Sequence, residues 1–411
     1  MTLTPLGEPK LTPEDAAAVQ QCLSSGWPSV GGDYVDRFEA RLAEKLGIAS
    51  AQVVATTTGT AALHVALRLA GVCSGEIVVL PSLTFVATAN AVSYVGGIPC
   101  FVDVDDSGCM DVDRVAQFLA RCVRGDDGRL VDRTSGRRVA GVVAVHTLGR
   151  AADISRLLGL ASTHQLPLIE DAAGALGSSH RAQPVGTFGQ FGILSFNGNK
   201  IVTSGGGGAI ITRHVEHALA ARHLITQARS DGVRQIHDTV AYNYRLTNLH
   251  AALGWSQLGR LDELLRLKRR TAERYDALLR EDPRFQPTNP SPDSGSNHWM
   301  YVARFARVIG AARLAEVVAA MRHRGVEARM LWQPLDRSPA FPEAIKTGSP
   351  NAQVIYERSL LLPSSLSISR SDQEYVVATL TEAMTRDGGI DEGLRCGTRA
   401  SRRGRQHTHR R

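Results

Sequence analysis

The chain has 411 residues, enough for two or three domains at about 150 residues each and for a core that folds unaided. Its formal charge of +7 sits at one end, because residues 395–411 carry seven arginines and no acid and leave the remainder neutral. The body therefore has no basic nucleic-acid-binding balance, and no apolar run reaches the roughly 18 residues of a membrane span. With no basic-then-apolar leader pattern either, a soluble cytoplasmic protein without nucleic-acid or membrane partners is expected. Six scattered cysteines (22, 73, 100, 109, 122 and 396) form no CxxC pair, which points away from a zinc site or disulfide framework. No metal is expected.

Helical patterning runs from Pro13 to Ser25, behind a Thr-Pro-Glu start that suits an N-cap. A loop rich in turn formers, GWPSVGGDY, follows, and the helical period resumes with Val35, Phe38, Leu42 and Leu46 on one face. From residue 53 to about 215 short apolar runs (VVAT, EIVVLP, IPCFVDV, GVVAVH, LPLIEDA, GILSF, GAIIT) alternate with helical segments or glycine turns. Continuous apolar runs of this length predict strands buried on both faces, hence a mainly parallel sheet covered by helices. The charged stretch 123–139 interrupts them as an exposed hairpin or loop. One long helix is predicted over Leu249–Tyr275. The loop PTNPSPDSGS then leads to a strand in WMYVARFARV and to a helix ending at Gly325. The expected class is α/β, divided into an N-terminal helical segment (1–25), a large domain (26–270), a small α+β domain (271–390) and a disordered Arg-rich tail (391–411).

Asp171 ends the strand LPLIED, at the strand edge where α/β sheets place ligands. Lys200 follows GILSF through the turn SFNGNK and precedes four glycines, 205–208. No GxxxxGK[ST] string surrounds it, so a P-loop is excluded, while an ordinary solvated lysine remains open. A crowded lysine loses basicity and attacks carbonyls, as a pyridoxal-phosphate lysine must. That cofactor also needs an acid at its ring nitrogen and donors for its phosphate. Asp171 can supply the first. The string TTTGTAAL (56–63) can supply the second, with the Gly59 and Thr60 amides at a helix N-terminus, although it reads equally as a plain N-cap.

Together TTTGTAALHVAL, LPSLTFVATANAV, CFVDVD, IEDAAGALGS, GTFGQFGILSFNGNKIVTSGGGGAI and AYNYRLTNLHAALG resemble the DegT/DnrJ/EryC1/StrS family of sugar aminotransferases, in order and from about Gly26 to Ser365. The resemblance implies a fold-type-I pyridoxal 5'-phosphate enzyme that transfers an amino group from L-glutamate to a nucleotide-linked 4-keto-6-deoxy sugar. It implies that Lys200 binds the cofactor as a Schiff base and shuttles the proton, that Asp171 pairs with the pyridine nitrogen, and that Phe85 stacks on the ring. Gly59, Thr60 and Ser195 hold the phosphate in this reading, and Asn243 reaches it from the neighbouring subunit of a homodimer. Without the family, Asn243 reads as a buried turn-capping residue. His298, Trp299, Arg329 and Trp332 are the implied substrate contacts, although a tryptophan is as often core.

The form SFNGNKI-TSGGGG with the insertion RLVDRTSGRR is most similar to the subgroup that aminates C4 of UDP-2-acetamido-2,6-dideoxy-hexos-4-ulose. One position departs from the family, which usually has His, Gln or Glu three residues after the aspartate where this chain has Gly174. The alternatives are a sugar dehydratase, which Lys200 argues against, a non-catalytic sugar-nucleotide-binding member, and an aminotransferase for a GDP- or dTDP-linked hexose or an aminocyclitol precursor.

Overall fold

The computed structural model describes residues 3–287 and 293–385. Seven strands of the central sheet are β1 (Val53–Thr56), β2 (Ile77–Pro81), β3 (Ile98–Val102), β4 (Val139–Val145), β5 (Leu168–Asp171), β6 (Phe191–Ser195) and β7 (Gly208–Thr212). They lie in the order β1-β7-β6-β5-β4-β2-β3, and Ile345–Lys346 adds an edge strand beside β3. Pairing is parallel from β6 to that edge, whereas β7 runs antiparallel to both β1 and β6.

The continuous apolar runs are explained by burial on both faces. In β2, Val78 and Leu80 enter a core with α3 (Gly59–Leu69), α4 (Val86–Tyr94) and α7 (Val215–Ile225). Ile77 and Val79 point the other way, to α5 (Val112–Ala120) and α6 (Ile154–Thr163). Each such side chain contributes about 1.5–3 kcal/mol through burial, so alternation with polar residues would cost the sheet one of its two layers.

The smaller C-terminal layer pairs Tyr301–Arg304 antiparallel with Ser359–Leu362, which also pairs with Arg329–Met330. Behind it, α10 (Ala311–His323) and α12 (Arg370–Thr385) share a core built on Leu314, Val317, Val376 and Leu380. No helix among the described residues is long and apolar enough to cross a membrane.

The structure differs from the sequence expectation in one helix and two domain limits. The predicted long helix is two, α8 (Asn248–Gly259) and α9 (Leu261–Leu279), with Arg260 between them bonded to Asp15 and the Lys10 carbonyl. A hydrophobic period carried across one residue hides that break. The boundary at 270 falls inside α9, whose Leu264 belongs to the large core and whose Tyr275 belongs to the small one. Residues 1–25 are also no separate segment. Asp15 of α1 (Pro13–Ser24) binds Ser256 and Gln257, and Thr4 bridges Val326 in the small layer. The insertion forms a hairpin of Cys122–Arg124 with Leu130–Asp132. The Arg-rich tail 391–411 and Cys396 lie outside the described residues.

Candidate active site

The sheet register brings four strand ends together. Asp171 of β5 stands opposite Val145 of β4 and Ile193 of β6, while Gly208 of β7 stands opposite both Ser195 and Thr56. Ligands of α/β sheets lie outside such carboxyl ends. A cavity of about 510 Å³ opens there, closed from the far side by Trp299, Met300, Arg329, Met330 and Trp332 of the small layer.

Asp171 is almost wholly buried and doubly held, its Oδ2 accepting from the Thr88 hydroxyl at 2.7 Å and its Oδ1 from the Ala173 amide at 3.1 Å. Thr88 in turn contacts the Thr84 hydroxyl at 2.9 Å. Thr88→Val keeps the volume and removes the donor. It is expected to lower kcat about tenfold, the equivalent of one charge-assisted hydrogen bond of about 1.5 kcal/mol. Steady-state rates alongside an unchanged thermal midpoint would check it.

Lys200 lies in the turn after β6, its amide bonded to the Asn197 carbonyl at 3.0 Å. Burial pulls its amine down to about 8, partly offset by the Asp171 carboxylate. Its Nζ stands 3.6 Å from the centre of the Trp299 ring.

The opposite wall is the start of α3. Thr58 caps that helix by accepting from the Ala61 amide at 3.0 Å, which leaves the Gly59 and Thr60 amides, without intrahelical partners, at the cavity. Gly208 lets this turn sit against the sheet, because a Cβ there would lie 2.4 Å from the Thr58 carbonyl carbon. The approach the glycine run permits is thus to the chain's own anion cup. Amine, carboxylate and helix N-terminus on one cavity make a set that fits pyridoxal 5'-phosphate. Gly208→Ala is expected to weaken cofactor binding at least tenfold and to cost about 1–3 kcal/mol of stability. Absorbance titration and denaturation measure the two effects.

Of the remaining candidates, Phe85, Ser195, Trp299, Arg329 and Trp332 line the cavity. Phe85 faces Trp332 with ring centres 5.9 Å apart, and Arg329 Nη2 donates to Glu327 at 2.5 Å. His298 is not among the lining residues. It adopts φ of 53°, which turns it away from its inward-facing neighbours Asn297 and Trp299. The charged groups acting on it are Asp276, Arg150, Arg269 and Glu273, none of which lines the cavity, and burial lowers its basicity. Asn243 is exposed rather than buried, and it too lies off the cavity of its own chain.

Sequence reasoning missed Thr88, His146, Leu6 and Asn297. Thr88 sits in a helix start and His146 follows an apolar strand, so neither pattern marks a polar contact. Leu6 reaches the cavity because the N-terminal segment is held by Glu327 and Ser364 of the small layer.

This fold and this cavity define a pyridoxal 5'-phosphate-dependent aminotransferase of fold type I. Within that class, the chain belongs to the DegT/DnrJ/EryC1/StrS aminotransferase family, whose sequence profile matches residues 9–381, and it is a sugar aminotransferase. EpsN of Bacillus subtilis is 33% identical over 383 residues, covering 91% of this chain and 94% of that protein. GDP-perosamine synthase of Vibrio cholerae is 33% identical over 363 residues, covering 88% and 94%. Among solved structures, the aminotransferase TlmJ of Streptoalloteichus hindustanus superposes with a TM-score of 0.83 at 30% identity, covering 93% of this chain and 99% of that one.

Proposed function

We propose that the enzyme moves the amino group of L-glutamate to C4 of a nucleotide-linked 4-keto-6-deoxy sugar. The observation that carries this reading is the single cavity in which Lys200 and Asp171, from neighbouring strand ends, face the start of α3. Pyridoxal 5'-phosphate, when bound, supplies the carbonyl that takes up an amino group and the electron sink that lets a carbon–hydrogen bond ionise. The Gly59 and Thr60 amides and the Ser195 hydroxyl would hold its phosphate, Phe85 would cover its ring and Asp171 would hold its ring nitrogen. Lys200 Nζ takes the proton from the donor's α-carbon and, in the second half-reaction, delivers one to C4 of the sugar. Arg329 offers a planar fork to the substrate's diphosphate, and Trp332 flanks it. A second copy of the chain completes the site in this reading, with its exposed Asn243 reaching the phosphate.

UDP-2-acetamido-2,6-dideoxy-hexos-4-ulose is the sugar to which the sequence resemblance points. The insertion that contributed to that assignment is a hairpin none of whose residues lines the cavity, whereas Asn197 and Asn199 of SFNGNK do. A GDP-linked keto-hexose is the second reading, favoured by the 33% identity to a GDP-perosamine synthase. Incubating the enzyme with glutamate and UDP-, GDP- and dTDP-linked 4-keto-6-deoxy sugars tests both, with the amino sugar detected by mass spectrometry. Turnover of the UDP sugar is expected. Turnover of the GDP sugar alone selects the second reading, and turnover of none sinks the proposal.

A further inference from the structure

Gly174 lies three residues after Asp171, and the space a side chain would take there is filled. A Cβ on Gly174 would lie 2.5 Å from Trp299 Cε3 and 2.7 Å from Cζ3. The indole therefore stands beside the cavity in the space that a side chain at 174 would take.

The ring is held by one hydrogen bond of its own and the backbone beneath it by two more. Its Nε1 donates to the Asn199 carbonyl at 2.8 Å, its own amide donates to Asn297 Oδ1 at 2.9 Å, and its carbonyl accepts from Lys268 Nζ at 2.9 Å. Asn297 is itself anchored to the carbonyls of Gly174 and Leu176, and Lys268 also bonds the Ser364 carbonyl. Asn199 is the residue before Lys200, so the ring and the lysine's backbone are tied into one unit.

The exposed face of the ring carries the Lys200 amine, 3.6 Å from its centre. Among the described residues that amine makes no hydrogen bond, and Asp171 is the one charged group acting on it. A cation over an indole face is attracted by the ring quadrupole, most strongly where water is excluded. In transamination the lysine must leave the cofactor, take up a proton and return. A seat that holds an ammonium without hydrogen bonds suits that duty, because nothing directional must break when the amine swings back.

We propose that the face of Trp299 seats the Lys200 ammonium whenever that lysine is off the cofactor, and that Gly174 is glycine to make room for the ring. Trp299 is thus a positioning residue for Lys200 rather than a stacking face for the sugar. The inference rests on Lys200 being the transaminating lysine.

Competitive acetylation of the full chain without cofactor, read at Lys200 by mass spectrometry across pH, gives the midpoint at which this amine loses its proton. In Trp299→Leu the charged form loses its seat, so the midpoint is expected to fall by about one pH unit; Trp299→Phe, which keeps a weaker ring, should move it less. A folded Trp299→Leu whose midpoint stays or rises overturns the proposal, since a ring that merely excluded water would give a rise. Should that variant fail to fold, Gly174→Ala, whose methyl displaces the indole, is read by the same rule. The functional reading fails separately: if wild-type protein gives no absorbance band with pyridoxal 5'-phosphate, Lys200 is not its anchor whatever the labelling shows.

Discussion

Lys200→Ala is expected to leave the protein folded and to lower turnover by about 10⁴-fold or more, the scale of losing a nucleophile and proton carrier together. The fold survives because, among the described residues, the amine makes no hydrogen bond that the alanine would break. Chemistry does not survive, since among the described residues lining the cavity Lys200 is the one primary amine. The variant should still hold pyridoxal 5'-phosphate through the α3 turn and Asp171, but without the visible band that glutamate bleaches in the wild type. The pH dependence follows from burial, which pulls this amine down to about 8. Only the deprotonated form attacks, so covalent attachment should quicken about tenfold per pH unit below 8 and level off above it. Stopped-flow absorbance measures that profile. A variant keeping turnover within tenfold of wild type would sink the assignment.

Much of this site is legible in the chain because its parts end strands. VVAT and GAIIT are strands over their whole length, GILSF within one residue and LPLIED within two. The parallel pairing of β5 with β6 then brings their carboxyl ends to one edge, so Asp171 and Lys200 meet although the spacing between them says nothing of distance. TTTGTAAL comes beside them differently, because the antiparallel β7 lies between β6 and β1 and sets the end of β1 at the same edge.

The rest depends on contacts that leave no local trace. Gly174 and Trp299 are 125 positions apart, and only the folded chain shows that one is small because the other is large. Thr88 looks like any residue of a helix start until its hydroxyl is found on Asp171. His298 and Trp299 are adjacent and were equal candidates. The left-handed backbone at 298 separates them, and a non-glycine residue gives no sequence signal of that conformation. The domain limit at 270 failed because α9 serves two cores at once, and the edge strand Ile345–Lys346 carries the small layer back onto the large sheet.

Glu170→Gln is expected to cost about 1–3 kcal/mol of stability, although the substitution is nearly isosteric and remote from solvent. Glu170 is fully buried beside Asp171 and faces four donors. Its Oε1 accepts from the Phe188 amide at 2.7 Å and the Gly189 amide at 2.8 Å, and its Oε2 from the Gly186 amide at 2.8 Å. His146 completes the set at 3.0 Å. The Ala152 amide donates to His146 Nδ1, so the ring hydrogen sits on Nε2 and points at the carboxylate. An amide in this place turns one acceptor into a donor against donors, and whichever way it flips at least one backbone N–H is left buried and unpaired. The loosened turn 186–189 leads directly into β6, so Ser195 and Lys200 shift with it. Burial alone would push the Glu170 carboxyl up, but the His146 bond and the Gly189 and Gly186 amides outweigh it and hold it below the usual glutamate value. A depressed folded value means that this contribution is present above the unfolded pKa of about 4.5 and is lost as pH falls through the folded one. Denaturant unfolding at pH 7 should therefore separate wild type from Glu170→Gln by the full difference, and the two curves should draw together as pH falls through the depressed folded value. Equal midpoints at pH 7 would show that the carboxylate is not what holds the turn.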